Sequence, residues 1–121
     1  MEQFEVLFYE KGNGDCPIED FLDSLDLKMR AKMVGMITIL QEKGNMLREP
    51  YSKYLGNGIF ELRGKVGSNN TRVLYFFYHN GKIILTNGFV KKTQKTPRAE
   101  LEKAKAYRKK YLERHDENEE I

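Results

Sequence analysis

Apolar residues recur with two different periods along the chain, and the change of period separates predicted strands from predicted helices. Phe4, Val6 and Phe8 fall at every second position, which predicts a strand over residues 4–9. Beyond the turn at residues 11–15, the spacing becomes helical. A first helix near Pro17 buries Ile18, Phe21, Leu22 and Leu25. A second helix, capped by Asp26 and ended by Gly44, buries Met29, Met33, Met36, Ile37 and Leu40.

The second half of the chain is typical of strands joined by tight turns. Residues 45–58 contain Pro50 and two glycines and are expected to form a loop. Three strands follow, over residues 59–65, 71–78 and 82–90, and Asn80-Gly81 is a strong signal for a hairpin between the last two. Thr96-Pro97 then opens a final helix, with the apolar stripe Leu101, Ala104, Tyr107 and Tyr111.

The predicted element order is β-α-α-β-β-β-α, which indicates an α+β fold. An N-terminal strand and a two-helix hairpin are expected to pack on a small antiparallel sheet, because neither helix can bury its stripe alone. The other sheet face, or its concave edge, is then left for function. Residues 1–114 are predicted to form a single domain, and residues 115–121 a flexible acidic tail.

Composition excludes several classes of site. The chain has 121 residues and no apolar run near the roughly 20 residues that cross a bilayer. No secretory signal is visible at the N-terminus, so we expect a cytoplasmic protein. Cys16 is the only cysteine, which excludes an internal disulfide and a cysteine zinc site. His79 and His115 are too far apart in sequence to suggest a metal site, and no cofactor motif occurs.

The net charge of +3 hides a strong asymmetry. Residues 1–52 hold 6 Lys/Arg and 10 Asp/Glu, a net −4, whereas residues 53–114 hold 15 and 4, a net +11. Residues 115–121 add 4 acids and no Lys/Arg. A basic half of this size favours a polyanionic partner, most often a nucleic acid, although a solvated basic surface without a partner is the alternative.

Side-chain alternation in the predicted strands collects basic groups on one face. Arg63 and Arg72, if their strands pair in register, reach one phosphate, and Lys91 lies where the last strand ends. RNA cleavage by 2′-OH attack builds negative charge on the phosphoryl oxygens, which a guanidinium fork stabilises. A lysine crowded by other cations has a depressed pKa and suits proton transfer. The candidate catalytic residues are therefore Arg72, Arg63 and Lys91.

Further residues are candidates for RNA binding without a chemical role: Lys92, Lys95, Lys65, Lys53 and Phe89. Each basic residue also has a simpler interpretation. In this interpretation, Arg63 forms an ion pair with Glu61 or Glu100 on the surface. The lysines after residue 90 then contact phosphates along the backbone without a catalytic role.

Three segments together resemble a known family: Phe60-Glu-Leu-Arg63, Thr71-Arg-Val-Leu-Tyr-Phe76, and Gly88-Phe-Val-Lys-Lys-Thr-Gln-Lys-Thr-Pro97. They are similar to the HigB-like, phage-derived branch of the RelE/ParE toxin superfamily. The resemblance spans nearly the whole chain, and the run Phe89–Pro97 is its most specific part. That branch often reads Leu-His-Gly-Phe where this chain reads Leu85-Thr-Asn-Gly-Phe89, so no histidine general base carries over.

The resemblance implies a RelE-like fold and a type II toxin that cleaves mRNA on the ribosome without a metal. Its implied partners are a small antitoxin of the helix-turn-helix type, together with the ribosome and mRNA, and no membrane. On this basis Arg72 carries over best as the transition-state stabiliser. Two alternatives remain at this point. One is a ParE-like toxin that inhibits gyrase without catalysis, and the other is a basic phage regulatory protein that binds nucleic acid.

Overall fold

A computed structural model describes residues 4–92 and 95–119, with the side chains of 117–119 left aside. The strands are β1 (Glu5–Phe8), β2 (Ser52–Gly56), β3 (Ile59–Val66), β4 (Asn69–Tyr78) and β5 (Lys82–Lys91). The helices are α1 (Pro17–Ser24), α2 (Leu27–Lys43) and α3 (Arg98–Glu119), with a short 3-10 turn at Gly44–Met46. The predicted α+β class is confirmed.

The strands described form one mixed sheet in the order β1-β5-β4-β3-β2. Neighbours from β2 to β5 run antiparallel, as predicted, whereas β1 joins the edge of the sheet parallel to β5. Asn80 and Gly81 both have positive φ, 62° and 73°, in the turn between β4 and β5. The hairpin predicted from that dipeptide is therefore confirmed.

The helical hairpin covers one face of the sheet. The Asp26 carboxylate caps α2 by accepting the Met29 amide at 2.8 Å. Both helices approach the sheet closely where a strand has no side chain, because a Cβ on Gly64 would meet Met33 and one on Gly88 would meet the Phe21 ring. The buried core on this face comprises Ile18, Leu22, Met29, Met33, Met36, Leu40, Leu62, Val73, Tyr75, Ile83 and Leu85.

A second core on the opposite face corrects the expectation that this face is left open. α3 packs there, with Ala104 and Tyr111 of its predicted stripe buried and Leu101 and Tyr107 half-buried. The ring of Tyr107 stacks on Tyr9 with centroids 4.8 Å apart. The first turn of α3 is hydrogen-bonded to Asn87, four residues before the end of β5, so α3 does not extend over the end of the sheet where the basic residues lie.

Two other boundaries differ from the prediction. Residues 52–56, expected to be a loop, form the edge strand β2, which pairs with β3. A strand of five residues that closely follows Pro50 and ends at Gly56 has too little apolar alternation to be recognised in sequence. The helix α3 continues past residue 114 to Glu119, so no break in secondary structure marks the predicted domain end. The flexibility of 115–121 stays a prediction, and 120–121 lie outside the described residues.

Candidate nucleic-acid site

Arg63 and Arg72 lie directly opposite each other on β3 and β4. Side chains alternate across a strand, and directly opposed residues share a face with Cβ atoms about 4.5–5.5 Å apart. Leu74, two residues beyond Arg72, is buried in the α3-side core, which identifies the face. The two arginines therefore meet on the uncovered end of the α3 side of the sheet.

Glu61 joins the two arginines and is the residue whose importance the sequence did not reveal. Its side chain is only 1% exposed, and Oε2 accepts a hydrogen bond from Arg63 Nε at 3.1 Å. Oε1 lies 3.6 Å from Arg72 Nε and accepts from Thr96 Oγ1 at 2.6 Å. Arg63 does pair with Glu61, but the pair is partly buried rather than on the surface. One carboxylate thus forms ion pairs with both guanidinium groups.

Arg72 is the more buried of the two arginines, with 10% of its side chain exposed against 22% for Arg63. Burial lowers its pKa, Glu61 opposes that shift, and Arg63 adds to it. The guanidinium still stays protonated at neutral pH because its ordinary pKa is so high. Nη1 donates to the Thr71 carbonyl at 3.2 Å, while Nε is buried and has no hydrogen-bond partner among the described residues. A desolvated, oriented cation interacts strongly with an incoming anion.

Lys91 completes the group from β5. It pairs with Asn70, as Phe89 pairs with Arg72, so the alternation puts Lys91 on the same face as the arginines. Burial is the largest cause of the lowered pKa of Lys91; Glu61 opposes it, and Arg72, Arg63 and Lys53 contribute to it. The direction is the one expected from the sequence, although desolvation, rather than any one neighbouring cation, is the largest single cause of the lowered pKa.

The remaining candidates divide between surface and core. Lys53, opposite Glu61 on β2, and Lys65 on β3 are exposed on the face of the arginines. Lys92 and Lys95 are exposed beyond β5, and the motif residues Thr93 and Gln94 between them lie outside the described residues. Phe89 is only 8% exposed and belongs to the α3-side core, so it offers no stacking surface to RNA. Phe89 is therefore a core residue rather than an RNA contact. We name the set Arg63, Arg72, Lys91, Lys53, Lys65 and Glu61 the basic cluster.

Asn87 lies in the segment Leu85-Thr-Asn-Gly-Phe89, which contains no histidine. It is 4% exposed, and Nδ2 donates to the Glu100 carbonyl oxygen at 3.1 Å and to Glu100 Oε1 at 3.0 Å. These bonds fasten the first turn of α3 to β5. Asn87 therefore acts as a structural anchor beside the basic cluster and brings no titratable group to it.

Both histidines lie at the other end of β4. His79 Nε2 is 3.8 Å from Asp116 Oδ1, which also accepts from the Tyr78 hydroxyl at 2.7 Å. His115 stacks on Tyr111 with centroids 3.9 Å apart. Tyr78 lies six positions beyond Arg72, about 20 Å along an extended strand. Within residues 4–92 and 95–116, no set of three or more His, Cys, Asp or Glu side chains is arranged to hold a metal.

The structure defines a class: a small α+β domain in which two arginines, ion-paired with one buried carboxylate, lie in register on one face of the sheet. Residues 20–109 match the family model described as Phage derived protein Gp49-like (DUF891). The chain belongs to this phage-derived family, which is a RelE/ParE-like toxin family. A search of curated proteins found no match. Across the part of the chain that is described, no helix is long and apolar enough to span a membrane.

Proposed function

We propose that this chain is the toxin of a type II toxin–antitoxin pair, of the HigB-like branch, and that it cleaves mRNA on the ribosome. The observation that supports the proposal is the in-register pair Arg63 and Arg72, both held by one buried carboxylate. Membership in a RelE/ParE-like toxin family supports the same conclusion and implies an antitoxin partner. Such a toxin acts in the cytoplasm.

The proposed reaction is a transesterification within RNA. The 2′-oxygen attacks the adjacent phosphorus in line, the bond from phosphorus to the 5′-oxygen breaks, and the products are a 2′,3′-cyclic phosphate and a 5′-hydroxyl. Arg72 and Arg63 stabilise the charge that grows on the non-bridging oxygens. In this proposal the two guanidinium groups take the charge-stabilising role that a metal ion has in other nucleases, and their position in register on one face of the sheet supports it.

Lys91 is proposed for proton transfer. One proton leaves the 2′-hydroxyl and one reaches the departing 5′-oxygen, so the reaction needs a group that exchanges protons near neutral pH. The lowered pKa of Lys91 brings it towards that range. Lys53, Lys65, Lys92 and Lys95 hold neighbouring phosphates of mRNA or ribosomal RNA.

Transcript mapping after induced expression tests the proposal. The wild-type chain is expected to arrest growth and to leave new 5′ ends within translated messages, whereas Arg72→Ala leaves messages intact. Lys28→Ala, which removes an equal charge from the exposed start of α2, serves as the control and stays toxic. Growth arrest with intact messages, or arrest accompanied by DNA damage, would refute RNA cleavage and favour gyrase inhibition.

A further inference from the structure

A cavity of about 340 Å³ opens next to the basic cluster. Its volume lies near the lower end of the roughly 300–1,000 Å³ typical of small-molecule sites. The lining includes Arg63 and Arg72, so any occupant lies beside the phosphate that these arginines are proposed to hold. The other lining residues are Lys32, Met36, Pro50, Tyr51, Gly64, Lys65 and Asn70.

The cavity exists because β2 is shorter than β3. Pairing between the two strands reaches Ser52 and Leu62, followed by one hydrogen bond from the Arg63 amide to the Tyr51 carbonyl at 2.9 Å. Beyond this hydrogen bond, β2 no longer covers the edge of β3. Lys32 and Met36 of α2 therefore line the same cavity as the arginines of the opposite sheet face, around that edge.

The lining combines flat apolar surfaces with positive charge. Tyr51 is 53% exposed, whereas Met36 is only 3% exposed and belongs to the core between the helical hairpin and the sheet. Lys32 and Lys65 are exposed at the rim. The exposed aromatic ring suits a planar ring system, and ammonium groups suit its hydrogen-bond acceptors.

Resting on the proposed function, we infer that this cavity binds the nucleobase adjacent to the scissile phosphate and that Tyr51 stacks on it. Guanine fits best, because its O6 and N7 present two acceptors to lysine donors. Stacking on an aromatic side chain adds about 5- to 150-fold in affinity per base. Tyr51 is therefore a specificity residue, and Lys32 and Lys65 read the edge of the base.

A binding experiment tests the inference without requiring cleavage. Amide chemical shifts of the wild-type chain are followed during titration with guanosine 3′- and 5′-monophosphate and with ribose 5-phosphate. At least one guanosine monophosphate is expected to bind about 5-fold or more tightly than ribose 5-phosphate and to shift Tyr51, Gly64 and Lys65. Equal affinity for all three ligands, or an unchanged preference in Tyr51→Ala, would overturn the inference.

Cut-site mapping adds a second readout with matched variants. Tyr51→Ala is expected to lose the base preference next to the cut, while Tyr51→Phe keeps it because stacking remains. Tyr54→Ala is the control, since Tyr54 lies on the same edge segment at 55% exposure and outside this cavity. An unchanged cut-site distribution in Tyr51→Ala would overturn the inference and leave the proposed function intact. A wild-type chain that binds guanosine monophosphate and cuts no RNA would overturn the proposed function alone.

Discussion

The substitution Glu61→Gln removes the charge that holds the basic cluster together and keeps the shape of the side chain. Glu61 is 1% exposed and receives three groups: Arg63 Nε at 3.1 Å, Thr96 Oγ1 at 2.6 Å and, more distantly, Arg72 Nε at 3.6 Å. Two facing arginines then remain without their common counter-charge. We expect lower stability and, at the same time, stronger binding of polyanions.

The expected fall in the free energy of unfolding follows from the burial of Glu61 and Arg72. Breaking a buried ion pair costs about 3–5 kcal/mol, whereas an exposed pair contributes about 0–1 kcal/mol. Arg72 is 10% exposed, but Gln retains one oxygen acceptor, so we expect the free energy of unfolding to fall by about 3 kcal/mol, the lower end of the buried range. Single-stranded RNA affinity should rise, with a steeper dependence on salt, by about 0.7 in logarithmic slope for each added phosphate contact.

Urea unfolding measures the first effect, and binding of a non-cleavable, 2′-deoxy oligonucleotide at several salt concentrations measures the second. Glu113→Gln, on the exposed surface of α3, is the matched control and should change stability by less than about 1 kcal/mol. A Glu61→Gln chain as stable as this control would show that the carboxylate does not organise the arginines. A fall in affinity together with stability would refute the opposite signs predicted here.

Two further predictions concern packing and titration. Gly88→Ala places a methyl group against the Phe21 ring of α1, so urea unfolding should show a loss of about 1–3 kcal/mol; an unchanged midpoint would contradict the close approach of α1 to β5. Lys91→Met tests the lowered pKa, because the unfolded chain binds more protons than the folded one from the folded-state pKa up to the ordinary value of 10.5. Wild-type stability relative to Lys91→Met should therefore rise with pH across that interval, measured by urea unfolding from pH 7 to 10, and a constant difference would show that the pKa is unshifted.

The shared face of the two arginines was predicted on the condition that their strands pair in register, and a short turn provides that register. Two residues, Gly67 and Ser68, link β3 to β4, and Gly67 has a φ of 61° that favours glycine. This link sets Val66 opposite Asn69 and hence Arg63 opposite Arg72. Alternation then assigns both arginines to one face.

The missed parts depend on contacts between distant segments. β2 is defined by its pairing with β3 rather than by its own apolar pattern. β1 pairs in parallel with β5, which is distant in sequence. Glu61 is two residues from Arg63 on the same face, a spacing that pointed to a pair, but its burial depends on Thr96 and on the covering layer. The cavity at Tyr51 depends on where β2 begins, which the sequence did not indicate.

A double-mutant cycle on Arg63 and Arg72 tests the central claim that both arginines act on one phosphate. Single-turnover cleavage of a ribosome-bound message would be compared among wild type, Arg63→Ala, Arg72→Ala and the double variant. Each single substitution is predicted to lower the rate by about 10²–10³, and the double variant to lose much less than the product, because groups that act as a unit are not additive. Losses that simply multiply, or full activity in either single variant, would contradict a shared site.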